Sequence, residues 1–348
     1  MIKLILITCL IVLANSTQEF SGKNWVVLVV GSDSITDYRH PADVYHAYQI
    51  VRANGIPDEN IIVMHYDDVG NSKYNKYPGK VFNDPNMTDV YHDVPKDYTG
   101  KEVTPENFLK VLSGDKELAK AGKKVLNSGP DDHVFVFFDD HGDNEAEPLV
   151  NTLKEMHANN KFAKLVFYIE ACYAGSMFEN LLPNNISVYA TTASNSRESS
   201  WACYWDNPIL DPLADEYSVR WMEHAELSIN DSTLQSQYEF IRDHTPKSHV
   251  MQYGDLSIAK LPMSQFLGQR TPYTPIISEP GVKCKYSFPN NDVPLFATKM
   301  KMEHATNEIE KEMYRQELSQ IMAGRQYLDN HLSAYIKGIG HLINTESP

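Results

Sequence analysis

The sequence predicts an α/β fold with a mostly parallel central sheet flanked by helices. Three unbroken apolar or aromatic runs of strand length carry that reading: W-V-V-L-V-V at 25–30, H-V-F-V-F-F at 133–138 and L-V-F-Y-I at 165–169. Such runs mark strands buried on both faces. Between them lie segments of helical period, and strand–helix–strand alternation is what a parallel sheet requires. Each run stops at small or polar residues, and open α/β sheets place their ligands at the carboxyl ends of their strands.

The first strand, 25–30, is broken by Gly31-Ser32-Asp33-Ser34. A polar loop through Arg39-His40-Pro41 leads to a helix expected from about Asp43, with Val44, Ala47, Tyr48 and Val51 on one face. Asn54-Gly55 and Pro57 stop it. A second strand is expected at 61–66. The stretch 69–103 is loop-rich, after which Thr104-Pro105 caps a helix with Phe108, Leu109 and Leu112 inward. The strand at 133–138 ends in Asp139-Asp140-His141-Gly142, and a helix presenting Leu149, Leu153 and Met156 follows. The strand at 165–169 ends in Glu170-Ala171-Cys172. A further strand at 187–190, helices around 217–222 and 234–241, and an alternating edge strand at 248–254 complete the domain. Residues 261–296 are proline-rich and read as a linker. Residues 297–348 keep a helical period, and a long amphipathic tail of that kind must pack on something.

Composition narrows the class. With 348 residues, 42% hydrophobic and 11% aromatic, the chain is globular and buries a full core. Its 31 basic and 46 acidic residues give a net charge of −15, which argues against nucleic-acid or anionic-membrane partners. Residues 1–17 read as a secretory signal peptide: Lys3, a short apolar run at 4–14, then small polar residues. That run is too short to span a bilayer, and no other stretch is long enough. Removing Cys9 with the leader leaves Cys172, Cys203 and Cys284, so at least one thiol stands outside any intrachain bridge. Sequons at Asn86, Asn185 and Asn230 are compatible with glycosylation.

Two buried strands thus end in groups capable of chemistry, His141-Gly142 and Glu170-Ala171-Cys172. A free cysteine usually just packs, and a loop histidine is usually just solvated. One crossover helix between these strands changes that, because it sets their carboxyl ends on the same edge of the sheet. Imidazole beside thiol is the arrangement a cysteine nucleophile needs. The N–H groups of Gly142 and Cys172 are placed to receive a developing oxyanion.

The stretches F-F-D-D-H-G, Y-I-E-A-C-Y-A-G-S-M, R-E-S-S-W-A-C-Y, D-Y-R-H-P-A-D-V-Y-H-A-Y-Q-I-V and S-H-V-M-Q-Y-G resemble the legumain (asparaginyl endopeptidase) family in order from about residue 24 to 253. The resemblance implies a caspase-like sandwich at 18–260, followed by the linker at 261–296 and part of a helical prodomain at 297–348. It implies a cysteine endopeptidase cutting protein substrates after Asn, and after Asp at lower pH, with Cys172 as nucleophile and His141 as base. Arg39, Glu170, Ser199 and Asp215 match the family's specificity pocket, with His40 and Ser200 adjacent. On local signal alone Arg39 and Asp215 would read as a surface ion pair. No cofactor or metal is implied. Cystatin-type inhibitors are implied partners, and the secretory pathway, lysosome, vacuole or extracellular space is the implied location.

Three departures from the family bear on activity. Asp37 stands where the family usually has a catalytic-site Asn, and a carboxylate there would orient the imidazole and favour its cation. The segment after His141 is shorter than the family's, which opens the cleft or yields a peptide-binding protein that does not cut. The family's capping helical domain is largely missing, and Asn307 lies near its self-processing site. A transpeptidase, including the lipid-anchor transamidase, is the alternative that shares the same dyad.

Overall fold

The computed structural model describes residues 20–343 apart from 143–144, 272–275, 278–280, 282 and 285, so the expected leader at 1–17 lies outside the described residues. Strand β1 (Asn24–Val30) leads through a short 3-10 turn (Ile35–Asp37) into α1 (Arg39–Ala53), and β2 (Ile61–Met64) follows. Then come α2 (Pro105–Ser113), α3 (Lys116–Lys120), β3 (His133–Asp139), α4 (Ala146–Ala158), β4 (Lys164–Glu170) and β5 (Val188–Thr192). The remaining elements are β6 (Trp201–Cys203), β7 (Ala214–Asp215), α5 (Glu216–Ser228), α6 (Leu234–His244), β8 (Met251–Gly254), α7 (Ser264–Leu267), β9 (Phe288–Pro289), α8 (Val293–Glu303) and α9 (Glu308–Ile343).

The main sheet has the order β2-β1-β3-β4-β5-β8, parallel throughout except for the antiparallel edge strand β8. Side chains alternate across it with period two. Val26, Leu28, Phe135 and Phe137 face one core with α1, α5 and α6. Val27, Val29, Val134 and Val136 face the other with α2 and α4. Thr104 caps α2 through the Asn107 N–H, with Pro105 in the first turn, as the sequence suggested. Tyr168 and Phe137 pack edge-on, and Phe135 tilted, around the buried Trp221 of α5.

The structure corrects three expectations. Helix α1 starts at Arg39 rather than near Asp43, so Arg39 and His40 are buried in its first turn instead of standing on a polar loop. There the guanidinium faces buried acids, and its Nε donates to Asp215. Second, the stretch 261–296 is not a free linker. Met263, Phe266 and Leu267 are fully buried in the main core, and Phe266 stacks on His133 at 4.6 Å between ring centroids. Further along, β9 joins β6 and β7 in a small sheet of order β7-β6-β9, and Cys284 forms a disulfide with Cys203. Cys172 is the free cysteine among the described residues. Third, the tail packs only in part. Helix α8 lays Val293, Phe296 and Ala297 on Trp205 and Phe288. Helix α9 packs against α8 but leaves Ile309, Met313, Met322, Leu328 and Leu332 exposed. Among the described residues, no helix is long and apolar enough to cross a membrane.

Candidate active site

Strand register delivers the dyad. Asp139 of β3 pairs with Glu170 of β4, so both chains leave the sheet at the same level, and His141 and Cys172 each lie two residues beyond it. Gly142 backs onto the cysteine loop: a Cβ built on it would sit 2.4 Å from the Cys172 carbonyl oxygen. This close approach is why glycine is needed there. The Ser194 hydroxyl braces the nucleophile turn, donating to the Ala171 carbonyl at 2.9 Å and accepting from the Ala174 N–H at 3.1 Å.

Cys172 is nearly buried, its Sγ 3.1 Å from Ser199 Oγ and 3.9 Å from Ser200 Oγ. Burial pushes its pKa up, partly offset by hydrogen bonds from the two serines, which favours the thiol over the thiolate. His141 is half exposed, with Nε2 at 3.1 Å from Asp37 Oδ1. The hydrogen bond to Asp37 raises the His141 pKa, against partial burial. A carboxylate oxygen accepts, so Nε2 carries the proton of this hydrogen bond.

The pocket beside the dyad is a buried charge cluster. Arg39 Nε donates to Asp215 Oδ1 at 3.1 Å, and Arg39 Nη1 lies 3.7 Å from Asp37. Glu170 Oε2 accepts from the Ser218 N–H at 3.2 Å and the Ser218 hydroxyl at 3.0 Å. Asp43 accepts from the Asp215 N–H at 2.9 Å and from Asn83, while Asp139 lies beneath. Burial drives all four carboxyls upward, each further raised by a neighbouring acid except Asp215, which Arg39 and a hydrogen bond from Asn290 draw back. Burial opposes the Arg39 charge too, but Asp215, Asp37 and Asp139 outweigh it and keep the guanidinium cationic. One fixed cation does not hold four ionised acids in a dry site. Asp215 is the one it pairs, and burial among neighbouring acids disfavours the ionised form of Glu170, Asp139 and Asp43. His40 is held neutral by burial, Arg39 and His141, with Nδ1 2.6 Å from Ser32 Oγ.

An asparagine already occupies this pocket. Asn290 Nδ2 donates to Ser200 Oγ at 2.8 Å and to Asp215 Oδ1 at 2.7 Å, and its backbone N–H reaches the Ser200 carbonyl at 2.9 Å. The chain arrives there by antiparallel pairing of Phe288 with Ala202 and of Pro289 with Trp201. Asn291 continues past the nucleophile, its N–H 3.4 Å from Ser199 Oγ and its side chain donating to Tyr173 Oη at 3.1 Å. Arg325 of α9 pins the segment through Asp292 at 2.5 Å and the Asn291 carbonyl at 2.7 Å. Arg39 Nη1 and Nη2 and Asn290 Oδ1 make no hydrogen bond among the described residues, so this seat uses only half of the pocket's amide-binding capacity.

Every pocket and dyad residue expected from the sequence lies at this edge of the sheet. Asp43, Asp139, Ser218, Tyr173 and Asn290 were missed. Their partners are distant in the chain, and Asn290 carries no local mark beyond lying in a proline-rich stretch. Asn307 caps α9, accepting from the Glu310 N–H at 2.9 Å, and sits exposed in the connection from α8 rather than on a helix. Asn86 and Asn185 are exposed, whereas both ends of the Asn230 amide are engaged by the Arg270 backbone. Two sets of potential metal ligands, Asp37–His40–His141 and His40–Asp139–Asp215, bring ligand atoms within 4.8 Å, and both consist of groups already engaged as described.

The peptidase C13 family profile matches residues 24–269. A legumain from Rattus norvegicus is 46% identical over 332 residues, covering 91% of this chain and 76% of the relative. A hemoglobinase from Schistosoma japonicum is 43% identical over 308 residues, covering 83% and 72% respectively. Among solved structures, a caspase-1 from Spodoptera frugiperda aligns with a TM-score of 0.41 and 10% identity over 73% of this chain and 94% of that one.

Proposed function

The chain belongs to the peptidase C13 family and is a cysteine endopeptidase of the legumain type; on that premise we propose that it cleaves protein chains after Asn, and after Asp at acidic pH. The observation that carries this is Asn290, whose amide donates to Asp215 and Ser200 inside the pocket. A substrate Asn offers the same two N–H donors and, seated fully, turns its carbonyl oxygen to Arg39. A longer, charged or apolar side chain leaves these buried groups unpaired, the strongest basis for discrimination a pocket has. Ionised Asp meets Asp215 and is repelled; protonated Asp replaces one donor and enters.

In the reaction, His141 Nδ1 takes the thiol proton and Cys172 Sγ attacks the main-chain carbonyl carbon of the residue seated in the pocket. The Gly142 and Cys172 N–H groups receive the oxyanion. The His141 imidazolium then protonates the leaving amine, leaving a thioester. Water, deprotonated by the same imidazole, attacks the thioester, releasing the acid and returning the proton to sulfur. Asp37 orients the ring and stabilises its cation.

With its own Asn290 seated, the chain is a self-blocked precursor, processed at the exposed Asn307. The Cys203–Cys284 bridge and the signal-like start favour the secretory pathway, with a lysosomal, vacuolar or extracellular destination. Cystatin-type inhibitors presenting an Asn are fitting partners. The test is cleavage of peptides with Asn, Asp or Gln before the bond between about pH 4 and 7, the range where carboxylates and His titrate, with Cys172→Ala alongside. Cys172-dependent hydrolysis with Asn first and Asp rising as pH falls is expected. Equal cleavage after Gln would refute the pocket assignment, and transfer onto an added amine would mark a ligase.

A further inference from the structure

A cavity of about 490 Å³ opens at the carboxyl edge of the sheet, on the face away from the asparagine pocket. Its walls include Phe138 and Ile169, at the ends of β3 and β4, and Leu109 of α2. Among the described residues, three carboxylates belong to its lining, Glu106, Asp140 and Glu145, and no Lys or Arg does. Asp140 immediately precedes His141 and is held in place by the His141 N–H at 2.7 Å.

The cavity's position relative to the dyad decides its use. The residue before the cut is fixed in a pocket on the α1/α5 side of the sheet, and the acyl carbon is fixed on Cys172. The leaving nitrogen has to meet His141. The chain after the cut therefore departs over His141 and Gly142, away from the asparagine pocket and toward the face where the cavity lies. An extended peptide advances about 3.3 Å per residue, so one of its first two side chains after the cut passes the cavity mouth. An apolar interior with an acidic lining suits a long aliphatic stem ending in a cation, which buries its methylenes and keeps its charge at the rim.

We propose that this cavity is a specificity subsite for the leaving side of the substrate, taking a Lys or Arg at the first or second position after the cut. This rests on the reading that Cys172 and His141 cleave after Asn. In that reading the two sides of the scissile bond are sorted by opposite faces of one sheet: Asn by a buried polar pocket, a basic residue by an apolar pocket with an acidic lining.

The experiment uses the full chain and peptides with Asn before the cut, scanning Lys, norleucine, Gly and Glu at each of the next two positions. At one of them kcat/KM is expected to follow Lys, norleucine, Gly, Glu in descending order, with about tenfold between Lys and Gly. The Lys-over-norleucine margin should shrink at high salt. Leu109→Trp, which fills the cavity, should flatten the series while leaving unchanged the turnover of a small chromogenic Asn amide with no residue after the cut. Glu106→Gln with Glu145→Gln should remove only the Lys-over-norleucine margin. A flat series in the unmodified chain, or a Leu109→Trp variant that keeps the full ranking, overturns the subsite while the small amide is still cut. Failure to cut the small amide at all would instead refute the cleavage reading, and the subsite with it.

Discussion

Replacing Asn290 by Ala should activate the unprocessed chain. The side chain contributes one hydrogen bond to a neutral hydroxyl, worth about 1 kcal/mol, and one to a carboxylate, worth about 1.5–3 kcal/mol. Against these stands its own Oδ1, buried without a hydrogen bond, a cost of about 1–3 kcal/mol that Ala removes. The backbone bond to Ser200, the β9–β6 pairing and the Arg325 clamp are retained in the variant. The net loss is about 1–2 kcal/mol, which shifts the closed-to-open ratio about 5- to 30-fold. Initial rates on an Asn peptide, with intact mass confirming that residues 290–307 are uncut, read this directly. Asn290→Asp sharpens the test. It sets a carboxylate against Asp215, the acid that Asn290 now donates to, so at neutral pH the segment is expelled and activity should match or exceed that of Asn290→Ala. As pH falls the new acid protonates and reseats, and activity should drop back toward the unmodified chain. If both variants stay within twofold of the unmodified chain, while cutting at Asn307 activates it, the block lies in the helices and not in the pocket.

The remaining predictions concern the dyad and the strap. Asp37 raises the His141 pKa, and the base works only when neutral, so Asp37→Asn should move the acidic limb of the kcat/KM profile to lower pH; an unmoved limb means that Asp37 does not touch the working imidazole. Gly142→Ala drives a methyl into the Cys172 carbonyl and should lower kcat about 100-fold, since displacements near 1 Å cost that much, with the melting temperature changed by only a few degrees. Cys284→Ser opens a loop of sequence separation 81 and should cost about 2–5 kcal/mol in denaturant unfolding; a smaller loss would show that the strap detaches before the core unfolds.

The catalytic edge was legible because its signals are local. An unbroken apolar run marks a buried strand, and the residues just past its end are where a parallel sheet exposes chemistry, so Cys172 and His141 became candidates once one crossover helix set their strand ends on the same edge. The same local rule misled at Arg39 and His40, whose polarity suggested a loop although their partners made burial affordable. It also hid Met263, Phe266 and Leu267 behind the prolines that follow them.

By itself the sequence determined the main-sheet strands with their intervening helices, that at least one thiol beyond the leader lies outside any intrachain bridge, and the two strand ends that carry His141 and Cys172, because periodicity and chain punctuation act over a few residues. The tertiary structure alone decided which acids share one guanidinium, that Cys203 pairs with Cys284, that Asn290 fills the pocket, and that Asp140 lines a cavity. Those outcomes depend on groups brought together across long stretches of chain. Their energies come from burial and from competition for partners, and neither exists until the chain has closed around them.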